Sequence, residues 1–128
     1  MGLDNGIMIK KNKKIEKKFQ DKYDYYAYAD SYEIVYWRKC WNLRAAVQSI
    51  TGVYFDNADV RLKKEDIEDL IEFLNQLNEK NWESYGYSIW SWEEYEDNIQ
   101  QNIKDLKYLL KYMKKYPKEV EVWFYDSY

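Results

Sequence analysis

The last stretch of the chain, Glu119–Asp126, alternates residue by residue. Val120, Val122 and Phe124 fall on one side of an extended backbone, and Glu121, Trp123 and Tyr125 on the other. That period of two predicts a strand with one buried face. Such a strand needs a hydrogen-bonded neighbour and an apolar cover. Ile7–Lys10, with Ile7 and Ile9 on one side, is the matching segment near the other end, and Met1–Gly6 reads as a turn leading into it. The two ends of the chain are therefore expected to pair in one sheet.

The middle supplies the cover. Tyr36, Cys40, Leu43, Val47 and Ile50 step by four, three, four and three, which predicts a helix over about 38–51 stopped by Gly52. Glu33–Trp37 is its extended lead-in. A second helix is expected over Lys63–Glu79, burying Ile67, Leu70, Ile71, Leu74 and Leu77, with Glu65, Asp66 and Asp69 near its positive end. Ser91 and Glu94 form a capping box for a third, about 92–115, burying Tyr95, Ile99, Ile103 or Asn102, Leu106, Leu110 and Met113. Lys114 and Lys115 suit its negative end, and Pro117 marks the stop. Residues 53–62 read as a bent strand pair or an irregular loop, and Asn81–Trp90 as a Trp/Tyr-rich connection. The fold class is α+β: a single domain over 1–128, its small sheet pairing N- and C-terminal strands and covered by three helices.

Composition removes several chemistries. There is no histidine, which excludes Ser-His-Asp and Cys-His catalysis and His-containing zinc sites. The lone Cys40 excludes an intramolecular disulfide and Cys-cluster metal sites, and fits a reducing compartment. No cofactor, metal site or catalytic set is expected. No apolar run approaches the ~18–20 residues of a membrane span, and no signal stretch opens the chain, so the expected location is the cytoplasm. Charge is uneven: 10 basic against 6 acidic side chains over residues 1–44 give +4, and 10 against 17 over 45–128 give −7.

Two stretches carry recognition chemistry. Lys10–Lys18 holds six lysines and one glutamate, and Tyr23–Tyr32 holds five tyrosines. Residues 11–31 read as an irregular excursion. The lysines suit solvent or nucleic-acid phosphates, and Tyr25, Tyr26 and Tyr28 suit a partner surface or simple edge packing. The second stretch is Tyr36–Asn42. On a helix, Trp37 and Trp41 share one side and Arg38 and Asn42 the next. With Lys39, and with Asp4 from the opening turn, they form a ligand site able to stack a flat group and hold an anion. Equally, they form an internal brace in which Arg38 pairs with Asp4. The chief functional reading is a non-enzymatic binding protein. The alternative is a nucleotide- or nucleic-acid-binding module using the Trp/Arg/Lys patch. An enzyme using carboxylates such as Asp4 with Glu33 or Asp126 is the third.

Met1-Gly2-Leu3-Asp4, Tyr36-Trp37-Arg38-Lys39, Ser88–Glu94 and the ending Trp123–Tyr128 together resemble a family of short uncharacterised proteins of phages, prophages and Gram-positive bacteria. The resemblance spans most of the chain and is weakest over 11–31. It implies a mobile-element accessory protein acting in the cytoplasm of a bacterial host. Proteins of this size and source include inhibitors of host defence such as anti-CRISPR proteins, whose partners are host proteins or ribonucleoprotein complexes.

Overall fold

The computed structural model describes residues 2–128. Strand β1 (Asp4–Lys10) is followed by a one-turn helix α1 (Glu16–Phe19), β2 (Tyr25–Tyr26), β3 (Ser31–Arg38) and helix α2 (Trp41–Thr51). Then come β4 (Val60–Leu62), α3 (Lys64–Gln76), α4 (Trp92–Lys115) and β5 (Val122–Ser127). The strands form a five-stranded sheet in the order β2-β3-β1-β5-β4, every neighbouring pair antiparallel. The fold is α+β, and the N- and C-terminal strands pair as the alternation required, Ile7 opposite Phe124 and Ile9 opposite Val122.

The helices all lie on one face. Ile7, Ile9, Val35, Trp37, Val122 and Phe124 point towards them and join Leu43, Val47, Ile67, Leu70, Ile99 and Leu106 in one core. A bulge between Ile7 and Met8 inserts Ile34 into β3. The extra residue shifts the side-chain phase, so Glu33 and Tyr36, three apart, both reach the opposite face. Helix α4 spans the predicted 92–115, and its capping box is closed: the Glu94 amide donates to Ser91 Oγ at 3.2 Å and the Ser91 amide to Glu94 Oε2 at 2.8 Å.

Several expectations are corrected. The predicted helix over 38–51 begins only at Trp41, because β3 continues to Arg38 and Lys39 turns the chain at φ 56°. Trp37 is therefore a strand residue, and Tyr36, placed on the buried stripe from sequence, is exposed. Residues 11–31 are not merely irregular. Ile15 and Phe19 are fully buried, and the Phe19 ring lies 5.4 Å from Tyr108 and 5.3 Å from Tyr112 of α4. Helix α3 stops at Gln76, Leu109 takes the buried place assigned to Leu110, and of residues 53–62 only Val60–Leu62 is a strand.

Candidate binding groove on the open sheet face

The face of the sheet away from the helices carries the even-numbered residues of β1 and the odd-numbered residues of β5. Met8 and Tyr125 form the floor of a groove running along β1. Tyr28 and Ala29 wall one side and Asp59 the other. It comprises two adjoining hollows of about 220 and 420 Å³, one ending at Lys10, Glu121 and Trp123, the other at Asp4, Tyr36 and Ser127.

Tyr125 can lie across the groove because residue 6 is glycine. A Cβ there would stand 2.5 Å from Tyr125 Cε1 and 2.7 Å from the Val35 carbonyl oxygen. The Tyr125 hydroxyl then donates to Glu33 Oε2 at 2.8 Å. Beside it the Tyr36 hydroxyl donates to Asp4 Oδ1 at 2.5 Å, and Tyr26 meets Tyr28 edge-to-face at 5.9 Å. Burial raises the Glu33 pKa, with Asp24 and Asp4 adding to the rise and the Tyr125 hydrogen bond opposing it. Burial, then the bond to Asp4, pushes Tyr36 up to about 12, and burial followed by Glu33 raises Tyr125. These tyrosines stay neutral near pH 7 and keep donating. The result is a set of fixed ring faces backed by carboxylate oxygens with unused acceptor capacity, chemistry suited to amide and cationic donors. At the far end Lys10 and Arg61 converge on Glu121, at 4.0 and 3.4 Å, so the charges there largely cancel.

Of the residues singled out from sequence, Asp4, Tyr26 and Tyr28 meet on this face. Tyr25 sits on the helix-side edge, its hydroxyl donating to Asp30 at 2.5 Å. The Trp37–Asn42 cluster is dispersed. Trp37 is fully buried and its indole Nε1 donates to Asn102 Oδ1 of α4 at 2.8 Å, so it offers no ring to a base. Asn42 is buried and donates to the Trp82 carbonyl at 2.8 Å. Trp41 opens α2 at the surface, 5.7 Å from Tyr128. Lys39 forms the turn, and its amide donates to the Leu3 carbonyl at 2.7 Å. Arg38 lies opposite Asp4 in register, yet the two make no ion pair among the described residues. The expected Arg38–Asp4 brace is replaced by Arg44 and Asp126, whose carboxylate also accepts from Asn5 Nδ2 at 2.6 Å and the Asn57 amide at 3.0 Å. Of the carboxylates considered for catalysis, Asp4 and Glu33 share the open face, and Asp126 is consumed by the brace behind it.

Sequence reasoning passed over Tyr36, Tyr125 and Gly6 as groove residues. The available signal was in the C-terminal alternation: Trp123 and Tyr125 occupy the side where a solvent-facing strand carries polar residues. No helix among the described residues is long and apolar enough to cross a membrane. No family model, no curated protein and no solved structure matches this chain.

Proposed function

We propose that this protein is a non-enzymatic binding protein that holds a partner protein against the open face of its sheet. The observation that carries the reading is the Gly6–Tyr125–Glu33 arrangement. It presents a large ring already fixed by packing and a hydrogen bond, so little side-chain entropy is lost on binding. Tyr36, Tyr28 and Trp123 extend the same aromatic surface, and tyrosine-rich surfaces bind through such rigid amphipathic contacts. On the resemblance drawn from its sequence motifs, the partner we propose is a host protein or ribonucleoprotein complex, such as a CRISPR-Cas defence complex in the bacterial cytoplasm.

The test is affinity capture from a bacterial host lysate with the native protein and with a Tyr28→Ala/Tyr36→Ala variant. Both tyrosines are exposed, so the variant keeps the core. A partner enriched by the native protein should be depleted at least about tenfold with the variant, the scale of losing one binding hot spot. A Glu68→Ala/Glu72→Ala variant on α3 should retain it. Equal capture by the groove variant would refute this reading.

A further inference from the structure

A second surface, on the helix side of the molecule, has the opposite character. The 11–31 excursion docks α1 on the C-terminal half of α4 through Phe19, Tyr108 and Tyr112, and the Tyr108 hydroxyl donates to the Lys18 carbonyl at 3.4 Å. That docking joins two lysine sets lying far apart in sequence. Lys14, Lys18 and Lys22 come from the excursion. Lys104, Lys111 and Lys115 come from α4, at i−4, i+3 and i+7 from Tyr108, hence on its side of the helix. All six are exposed.

The ammonium groups are gathered over tyrosine rings. Lys22 Nζ lies 4.0 Å from the Tyr108 centroid, Lys111 5.6 Å from that of Tyr112, and Lys14 and Lys115 6.0 and 5.4 Å from that of Tyr116. The Tyr112 pKa is lowered first by its hydrogen bond with Tyr108 and then by Lys111, Lys18 and Lys115, so residues from both segments act on one point.

Carboxylates do not neutralise this patch. No ion pair among the described residues involves any of the six lysines. Glu16 is paired with Lys11 at 3.0 Å, and Asp105, which accepts from the Tyr23 hydroxyl at 2.9 Å and from Gln101, keeps its single negative charge at the edge of the six lysines. Asp21, Asp24 and Asp30 are the exposed carboxylates of the excursion, Asp30 accepting from the Tyr25 hydroxyl, and none of them pairs with a lysine among the described residues. In a chain of net charge −3, such a concentration is local and not a by-product of composition.

The geometry points to a phosphate-backbone binding surface for nucleic acid on the α1–α4 face, separate from the groove and independent of its occupant. Lys104 to Lys115 spans about 16 Å of helix axis, enough to follow several successive phosphates. The tyrosines beneath are half-buried or buried and already covered by lysine, which favours backbone contact over base stacking. Lysine ammoniums act as point charges without base readout, so binding should be independent of sequence.

Fluorescence anisotropy with a labelled DNA duplex of roughly 20 base pairs, and with its single strand, tests this. The expected result is binding at about 50 mM salt that weakens steeply, with a log–log slope near −5 for six phosphates on the duplex. Lys18→Glu/Lys22→Glu/Lys111→Glu should lose at least about tenfold, since it reverses three of the six charges. Arg38→Glu/Lys39→Glu/Lys80→Glu, an equal charge change elsewhere, should stay near native affinity. Circular dichroism confirms that each variant is folded, and glutamine at the same lysines replaces any charge reversal that is not. Absence of binding to either strand form at low salt overturns the proposal, as does greater loss in the Arg38 variant than in the Lys18 variant. Lysine-dependent binding to phosphatidylserine/phosphatidylcholine vesicles without binding to DNA overturns it in favour of a membrane surface.

Discussion

Arg44 of α2 holds Asp126 of β5 through one hydrogen bond to each carboxylate oxygen, Nε to Oδ1 at 2.7 Å and Nη2 to Oδ2 at 2.9 Å. The same guanidinium donates to the Phe55 carbonyl at 3.2 Å and lies 5.0 Å from the Tyr128 ring and 5.6 Å from that of Trp41. One side chain thus ties the helix layer, the 55–57 loop and the last strand together.

Removing either partner leaves a buried charge without compensation. Arg44→Ala should lower stability by roughly 3–5 kcal/mol in urea unfolding, because it leaves behind the fully buried Asp126 carboxylate, with Asp126→Ala towards the lower end because the Arg44 side chain it leaves is partly exposed. Burial alone would raise the Asp126 pKa, but hydrogen bonds from Arg44, Asn5 and the Asn57 amide outweigh it and hold the carboxyl below its ordinary 3.8. A depressed folded pKa contributes stability that is present above 3.8 and lost as pH falls through the folded value. Acid unfolding in that window should be less steep in Asp126→Asn.

Gly6→Ala tests the floor of the groove. The added methyl meets both a ring and a backbone carbonyl, so Tyr125 must leave or β1 must move away from β3. A loss of roughly 1–3 kcal/mol is expected, with a changed near-ultraviolet tyrosine signal. Native stability and an unchanged spectrum would show that the close approach is readily relieved.

Glu33 gives a pH signature of opposite sign to Asp126. Its folded pKa is raised above the ordinary 4.5, so its contribution is fully present below 4.5 and is lost as pH rises through the folded value. Glu33→Gln keeps an acceptor for the Tyr125 hydroxyl and cannot ionise. The melting-temperature difference between variant and native protein should therefore shift in favour of the variant as pH rises above 4.5 and then level off. A difference that does not vary with pH would place the Glu33 carboxylate in water.

Cys40 is fully buried, and burial raises its thiol pKa while Ser88 and Tyr95 oppose the rise through hydrogen bonds. Both access and thiolate fraction are low. Thiol reagents should label the folded protein slowly and the urea-unfolded protein fast. Rapid labelling under native conditions would mean that the β3–α2 turn opens readily.

The large elements were legible because their signals are local. The Ser91–Glu94 box and the apolar stripe behind it located α4, and alternation located β5. The strand-to-helix boundary at 38–41 was not, since it rests on Lys39 adopting a left-handed backbone that lysine has no intrinsic reason to choose. Trp37 was consequently misassigned, and with it the predicted cluster. Ile15, Phe19 and Tyr23 recur every fourth residue, a usable helical signal masked by the surrounding lysines. The Arg44–Asp126 brace joins residues 82 apart and the groove joins β1, β3 and β5, so neither has a signature within any short window.

The position of β1 at the centre of the sheet imposes an order on biosynthesis. Its β3 edge can zip as soon as Arg38 clears the ribosome, but the Asn5 side chain waits for Tyr125, 120 residues downstream. Throughout that interval β1 carries an uncapped row of amides and carbonyls beside exposed Ile7 and Ile9, a template for intermolecular strand pairing. Nascent chains stalled after β1 and β3 have emerged but before β5 has should be the aggregation-prone species, and a holdase that shields an extended apolar strand should raise the yield of folded protein more than one acting after release.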